Sequence, residues 1–192
     1  GSIGSANGDT YGLAVGDGDN FPNQVEVYAG SADSHIYQFM MDRTPPPNPI
    51  VFSPTHTPGI WSNLSDVKVG WRIPPDPSGI AGFSWVWDSA ADTNPDEKTE
   101  GKGGIDRTTS GPLADGDSYY FHIKAEDGAL NWNKTAYHFG PLMIDTVGPT
   151  DTSIKVNDDQ AYTNSKIVAL NVAGNDARSG MGSMAFSNDG TI

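Results

Sequence analysis

The stretch Tyr119-Tyr120-Phe121-His122-Ile123-Lys124-Ala125-Glu126-Asp127-Gly128 decides the fold class. Apolar side chains occupy every second position from residue 119, and an Asp-Gly pair ends the run. This alternation is typical of a half-buried β-strand followed by a turn. It predicts that the odd-numbered residues 119–125 face a core and that the even-numbered residues 120–126 face solvent.

The same alternation recurs along the chain, and it predicts an all-β fold. It is found in residues 25–28, 35–39, 67–71 and 167–172. Clusters rich in Pro, Gly and Asp separate these runs, as in Pro74–Gly79, where Asp76 before Ser78-Gly79 is interpreted as a turn cap that accepts local backbone hydrogen bonds. No stretch of about 11 or more residues both has apolar residues at helical spacing and lacks Gly and Pro. Many short strands of this kind predict a β-sandwich, a barrel or propeller blades.

Composition excludes several classes of function. The 192 residues carry a net charge of −13, which repels phosphate backbones, so we expect no nucleic-acid partner. Because there is no cysteine, disulfides, thiol catalysis and Cys-ligated zinc are excluded. Apolar runs are only a few residues long, so we predict no membrane span.

Two proline-marked joints divide the chain into three pieces. Asp42–Pro49 is stiff, cannot donate ladder hydrogen bonds at its prolines and is typical of an extended linker, and Asp145–Thr150 is interpreted as a second joint. The predicted domains are 1–44, 45–149 and 150–192.

The third piece repeats the beginning of the second at a spacing of about 101 residues. The matched pairs are Trp61-Ser62-Asn63 with Tyr162-Thr163-Asn164, Val67/Val69/Trp71 with Val168/Leu170/Val172, and Ser78-Gly79-Ile80 with Ser179-Gly180-Met181. Residues 150–192 are therefore predicted to be a partial second copy, which lacks the counterpart of the strand that contains Phe121.

The middle piece resembles a fibronectin type III or related immunoglobulin-like module of prokaryotic surface proteins. Val67-Lys68-Val69-Gly70-Trp71 matches the second strand of that family, and Leu113 with Tyr119 matches its tyrosine corner. The strand that follows Tyr119 and its Asp127-Gly128 turn match as well. The resemblance implies an Ig-like β-sandwich, but it does not specify a function, because such modules act as spacers, adhesins and enzyme appendages.

The first piece resembles one blade of an FG-GAP-type β-propeller, a repeat that often carries a calcium loop. The likeness rests on the segments 11–20, 25–31 and 35–39. Acidic and amide side chains at short intervals suit the six to eight oxygens that calcium takes, and the candidate ligands are Asp17, Asp19, Asn23 and Glu26. Phe21-Pro22 stands where such loops usually have Asp-Gly, so a plain acidic turn is the alternative to a calcium site.

No motif predicts catalysis. The histidines at 35, 56, 122 and 138 form no i, i+4 pair and no ligand cluster in the sequence, and we expect them to be solvated or structural. The chain also lacks nucleophile-elbow, phosphate-loop and metalloprotease motifs. The aromatic residues Trp61, Trp87, Tyr120 and Trp132 are interpreted as packing residues or, alternatively, as a stacking surface for sugars.

These patterns together predict a non-catalytic, extracellular structural or adhesive module, which is a spacer or a subunit of a cell-surface assembly. Its partners would be other subunits or further modules of the same chain, with strand exchange completing the second copy. Sequons at Asn63 and Asn133 are candidate glycosylation sites. The alternative is a carbohydrate- or ligand-binding accessory module of a larger secreted enzyme.

Overall fold

The computed structural model describes the backbone of residues 12–16, 25–30 and 36–40 and all atoms of residues 41–187. Its regular elements are thirteen strands and one short 3₁₀ turn, so the predicted all-β class is confirmed. The amino-terminal strands are β1 (Gly12–Gly16), β2 (Val25–Gly30) and β3 (Ile36–Met41). They form an antiparallel sheet in the order β1-β2-β3. Whether this sheet belongs to a propeller stays a prediction.

The middle piece contains eight strands in two sheets. They are β4 (Ile50–Phe52), β5 (Trp61–Ser62), β6 (Asp66–Arg72), β7 (Ile80–Asp88), β8 (Gly101–Lys102), β9 (Arg107–Pro112), β10 (Gly116–Asp127) and β11 (Tyr137–Ile144). One sheet has the order β4-β6-β9, and the other has the order β5-β11-β10-β7-β8.

The two sheets of the middle piece share one hydrophobic core. The first sheet contributes Val51, Val67, Val69 and Trp71, and the second contributes Phe83, Phe121, Ile123, Ala125, Leu142 and Ile144. Trp71 lies at the centre, with its ring centroid 5.3 Å from that of Phe83 and 6.0 Å from that of Phe121. The predicted inward positions of β6 and β10 are therefore confirmed, and the arrangement is compatible with a β-sandwich.

The predicted outward face of β10 is wrong at two positions. His122 and Lys124 are buried, with 0% and 2% of their surface exposed. The segment 89–100, between β7 and β8, covers them: Glu97 Oε1 lies 3.2 Å from Lys124 Nζ, and the Ala90 carbonyl lies 3.1 Å from His122 Nε2. Strand alternation gives the face on which a side chain lies, but it does not show whether a loop covers that face.

The carboxy-terminal piece is a two-stranded sheet formed by β12 (Thr150–Val156) and β13 (Leu170–Asn175), joined through a 3₁₀ turn at Asn157–Asp159. Its register resembles that of the middle piece. Trp71 pairs with Val51, and its repeat counterpart Val172 pairs with Ile154. Among residues 150–187, no second sheet covers this hairpin, and Ile154, Val156 and Leu170 are exposed.

Candidate metal centre

The predicted calcium loop lies largely outside the described residues. Nothing is described for Asp17, Asp19 and Asn23, and only the backbone of Glu26, in β2, is described. The calcium site at this loop stays a prediction.

A different group of carboxylates meets at the end of the middle piece next to the first joint. Asp42, Asp76 and Asp127 each offer one oxygen, and these three oxygens lie within 4.8 Å of one another. Asp42 comes from the joint, Asp76 from the loop between β6 and β7, and Asp127 from the end of β10. Asp127 is fully buried, and the other two residues are partly buried.

Local turns hold each of the three carboxylates in place. Asp76 Oδ1 accepts hydrogen bonds from the Ser78 amide at 2.9 Å and the Ser78 hydroxyl at 2.8 Å. Asp127 Oδ1 accepts the amides of Ala129 at 2.9 Å and Asn131 at 2.8 Å. These are Asx-type turns, in which a short acidic side chain bonds backbone amides that lie close by in the sequence.

The two turns are held against each other through the backbone. The Gly128 amide donates to the Gly79 carbonyl at 2.8 Å. A Cβ atom at position 128 would lie only 2.3 Å from the Ser78 carbonyl oxygen, so this close approach requires glycine. Asn131 ties the joint to the same place through its side chain. Its Nδ2 donates to Asp127 Oδ2 at 2.8 Å and to the Asp42 carbonyl at 3.2 Å.

Uncompensated negative charge makes this cluster a candidate cation site. None of the ion pairs formed within residues 41–187 includes Asp42, Asp76 or Asp127. Asp42 Oδ2 is a buried atom without a hydrogen-bond partner. Two like charges at this separation repel by about 3 kcal/mol at an effective dielectric constant of about 20. A hard divalent cation with a preference for carboxylate oxygens, such as Ca²⁺, would convert this repulsion into attraction.

The second joint repeats part of this arrangement. Asp42 Oδ1 accepts the Thr44 amide at 2.9 Å, and Asp145 Oδ1 accepts the Val147 amide at 3.1 Å. Asp176 Oδ1 accepts the amides of Ser179 and Gly180, as Asp76 accepts that of Ser78. The sequence repeat therefore extends to the joint aspartate and to the aspartate turn.

The carboxyl group of Asp145 is held ionised by its surroundings. Hydrogen bonds from Ser179, whose amide lies 3.1 Å from Oδ2, are the main cause of a lowered Asp145 pKa. Desolvation opposes the lowering, while the Val147 amide and the positive charge of Arg178 add to it. In the second copy, the joint aspartate thus contacts the loop that carries Ser179 directly.

A second polar cluster lies on the outer face of β10 and β11. His122 and His138 are direct partners in the strand register, and their Nδ1 atoms lie 2.6 Å apart. His122 Nε2 lies 3.1 Å from Asp88 Oδ1. The expectation that the histidines form no cluster was wrong for this pair, because the pairing follows from strand register and not from sequence spacing. His56 is structural as predicted: it is buried, with Nε2 3.0 Å from the Leu64 carbonyl oxygen.

The two sequons occupy very different environments. Asn63 is exposed. Asn133 is 5% exposed, its Oδ1 accepts the Ala125 amide at 2.7 Å, and its Nδ2 donates to the Pro46 carbonyl. A glycan attached to Nδ2 of Asn133 would need space beside the Pro46 carbonyl in a buried site, whereas Asn63 is accessible in the folded chain. Occupancy of either sequon stays a prediction.

The four aromatic residues considered as a sugar-stacking surface do not share one face. Trp87 packs against the core, with its ring centroid 4.7 Å from that of Phe121. Tyr120 lies on the opposite face of the same sheet, where it stacks on His122 at 5.9 Å. Trp132 lies beneath Lys124 Nζ, which is 6.0 Å from the ring centroid. Packing therefore accounts for Trp87, and a continuous platform formed by all four residues is excluded.

Of the three aspartates of the acidic cluster, only Asp76 was identified from the sequence. Asp76 was interpreted as a turn cap, and its bonds to Ser78 confirm that interpretation. The sheet topology brings the end of β10, the start of β7 and the joint to the same end of the molecule. The three aspartates are far apart in the sequence, so only the assigned strand order could have grouped them.

Comparison with protein-family models, with curated proteins and with solved structures found no match for this chain. Among the described residues, no helix is long and apolar enough to cross a bilayer.

Proposed function

We propose that this chain is a non-catalytic, extracellular structural module that acts as a spacer in a cell-surface protein or assembly, built from repeated Ig-like or fibronectin type III-like sandwiches. The observation that carries the proposal is the repeat of joint aspartate, first hairpin and aspartate turn in residues 42–80 and 145–181. Tandem repetition of a unit that includes its own linker is what an extended, semi-rigid rod requires.

Topology and one side-chain bond favour the Ig-like assignment of the middle piece. In Ig-like sandwiches, the second and fifth standard strands share one sheet, and the third, sixth and seventh share the other. The pairs β6–β9 and β7–β10–β11 fit that division. The Tyr119 hydroxyl donates to the Ala114 carbonyl at 3.0 Å, which is the bond of a tyrosine corner.

Spacer length can be tested with tandem chains. We expect each added copy of residues 45–149 to lengthen the particle by about 40 Å, because a twelve-residue strand rises about 3.3 Å per residue. Small-angle X-ray scattering on chains with one, two and three copies measures this increment. A maximum dimension that grows much less than in proportion to copy number would contradict a rod.

We propose further that calcium at Asp42, Asp76 and Asp127 stiffens the first joint. Extracellular modules bind calcium with dissociation constants of about 0.1–1 mM, which three carboxylates with additional carbonyl or water ligands can provide. Melting should therefore shift upward with calcium and return to its starting value with EDTA. At a calcium concentration of about 100 times the dissociation constant, the gain is about 2.7 kcal/mol.

Two variants separate calcium binding from folding. Asp42→Asn removes a ligand that lies on the joint, outside the strands, and should abolish the calcium-dependent shift, while relief of the carboxylate repulsion should keep the melting temperature in EDTA at or above that of the wild type. Asp117→Asn, an exposed aspartate in β10, is the matched control and should keep the shift. Equal calcium shifts in both variants would contradict this site.

The second copy suggests a route to assembly. Its exposed apolar hairpin borders a groove of about 520 Å³ lined by residues that include Ile154, Met181 and Phe186. In the middle piece, the equivalent hairpin is covered by β7, β10 and β11. We propose that strands equivalent to β7, β10 and β11, supplied by a neighbouring subunit, cover the groove.

Sedimentation over a range of protein concentrations tests exchange between subunits. Self-association should weaken in Ile154→Asp and persist in Thr163→Asp, which changes an exposed loop residue by the same charge. A monomer at every concentration would contradict the exchange.

The alternative function, a carbohydrate-binding accessory module, has less support because its four aromatic residues do not share one face.

A further inference from the structure

The histidine pair on the outer face of β10 and β11 carries an inference that is independent of the spacer proposal. His122 is fully buried, while His138 is exposed on the neighbouring strand. Their rings meet at an interplanar angle of 71° with centroids 4.9 Å apart. Their Nδ1 atoms lie 2.6 Å apart.

The tautomer of His122 is fixed by its other nitrogen. Nε2 lies 3.1 Å from both Asp88 Oδ1 and the Ala90 carbonyl oxygen. Both oxygens accept hydrogen bonds, so Nε2 carries the proton. In neutral His122, the lone pair is therefore on Nδ1 and points toward His138. A carboxylate or carbonyl that holds the far N–H of an imidazole is the arrangement that orients metal-binding histidines and makes them more basic.

The Asp88 carboxylate is held in place by the start of the covering segment. Its Oδ1 accepts the Ala90 amide at 3.0 Å, and the same oxygen faces His122 Nε2. Asp88 and the Ala90 carbonyl therefore orient the His122 ring from its far side.

His138 is suited to act as the second ligand. Its Nδ1 faces the Nδ1 of His122, and metals bind the neutral imidazole ring. Because His138 is exposed, its proton can move to Nε2 and face water, which leaves the Nδ1 lone pair free to bind an ion.

We propose that His122 and His138 bind a late first-row divalent metal ion, Cu²⁺, Ni²⁺ or Zn²⁺, through their two Nδ1 atoms. Imidazole nitrogens suit these ions, and Cu²⁺ binds most tightly in the ordinary order of affinities. Metal–nitrogen bonds of about 2.0–2.1 Å place two ligands of one ion about 2.9 Å apart at a right angle and about 3.4 Å apart at the tetrahedral angle, so the pair must open by about 0.3–0.8 Å. Rotation of the exposed His138 ring provides that movement, and water completes the coordination.

This site differs in chemistry from the acidic cluster. The acidic cluster offers only carboxylate oxygens and suits Ca²⁺, whereas the histidine pair offers two nitrogens with a carboxylate in the outer shell. Excess Ca²⁺ should therefore not displace the transition metal.

The test is calorimetric titration of the full chain with CuCl₂ at pH 7.5 in a weakly coordinating buffer that contains excess CaCl₂. We expect one site that weakens at least about tenfold in His138→Gln. Asp88→Asn should weaken it about 10–100-fold, the usual cost of losing an outer-shell partner. His35→Gln removes an imidazole outside the pair and is the matched control, with wild-type affinity expected.

A spectroscopic readout separates direct ligation from a structural role. Electron paramagnetic resonance of the Cu²⁺ complex should show splitting from two nitrogen ligands in the wild type and from one in His138→Gln. Far-ultraviolet circular dichroism of His138→Gln should remain that of the wild type, since this ring is exposed. Equal Cu²⁺ affinity in the wild type and His138→Gln, or a spectrum without nitrogen splitting, would overturn the proposal.

Discussion

The middle piece and the carboxy-terminal piece share the same opening segments but differ in how far they are buried. In the middle piece, Val69 and Trp71 are each 2% exposed, because a five-stranded sheet faces them. In the second copy, their counterparts Leu170 and Val172 are exposed and half-buried, respectively. The same local pattern therefore produces a hairpin in both places, but only non-local strands turn one of the hairpins into a core.

Core truncation should separate the two regions most strongly. Leu142→Ala removes a fully buried side chain and should cost about 2–5 kcal/mol of unfolding free energy. Leu170→Ala makes the same chemical change at a position that is 49% exposed and should alter the unfolding free energy by about 0.5 kcal/mol or less. Urea unfolding followed by far-ultraviolet circular dichroism, which reports the strands of both pieces, measures both values, and equal costs would contradict the contrast.

Loss of the buried amide that clamps the first joint should have the next largest effect. Asn133→Ala leaves the Ala125 amide without its acceptor and releases the Pro46 carbonyl, for a cost of about 1–3 kcal/mol. Asn63→Ala, at an exposed position of the same piece, is the matched control and should be nearly neutral. A neutral Asn133→Ala variant in the same urea series would show that the clamp contributes nothing.

The tyrosine corner should contribute less. Tyr119→Phe removes one hydrogen bond to the Ala114 carbonyl and keeps the ring, so we expect a loss of about 0.5–1.5 kcal/mol. Tyr137→Phe keeps a partly buried ring on the neighbouring strand and serves as the control. If the two variants have equal stability, the corner bond contributes nothing to the unfolding free energy.

Mild acid should have the smallest effect, and it should act on the middle piece through His138. Desolvation of the ring and the nearby His122 lower the folded-state pKa of His138. The unfolded chain therefore takes up the proton more readily, and stability falls as pH drops below about 6.5. The loss ends once pH is below the folded pKa. Thermal melts between pH 7.5 and 5 should show this slope in the wild type and a weaker slope in His138→Gln. An unchanged slope would assign the effect to another group.

The contrast between the two copies also shows what sequence reasoning can predict. Alternation predicted β6 and the inward residues of β10, and its run at 167–172 located β13 to within three residues, because these features depend on neighbours in the sequence. The burial of His122 and Lys124 was not predictable in this way, since it depends on a loop that closes over a sheet face.

The candidate sites depended on topology in the same way. Asp76 was recognisable as a turn cap, but its approach to Asp42 and Asp127 required the order of the strands. His122 and His138 meet only because β10 and β11 pair in a register that places them directly opposite each other.

Hydrogen–deuterium exchange with peptide-level resolution tests the central claim most directly, namely that the chain contains one complete sandwich and one uncovered copy of its opening hairpin. An isolated two-stranded hairpin is marginally stable, whereas core strands open only with free energies near that of global unfolding. We predict that amides in β7 and β10 exchange at least about a hundredfold more slowly than those in β12 and β13. Equal protection of the two hairpins β4–β6 and β12–β13 would contradict the account.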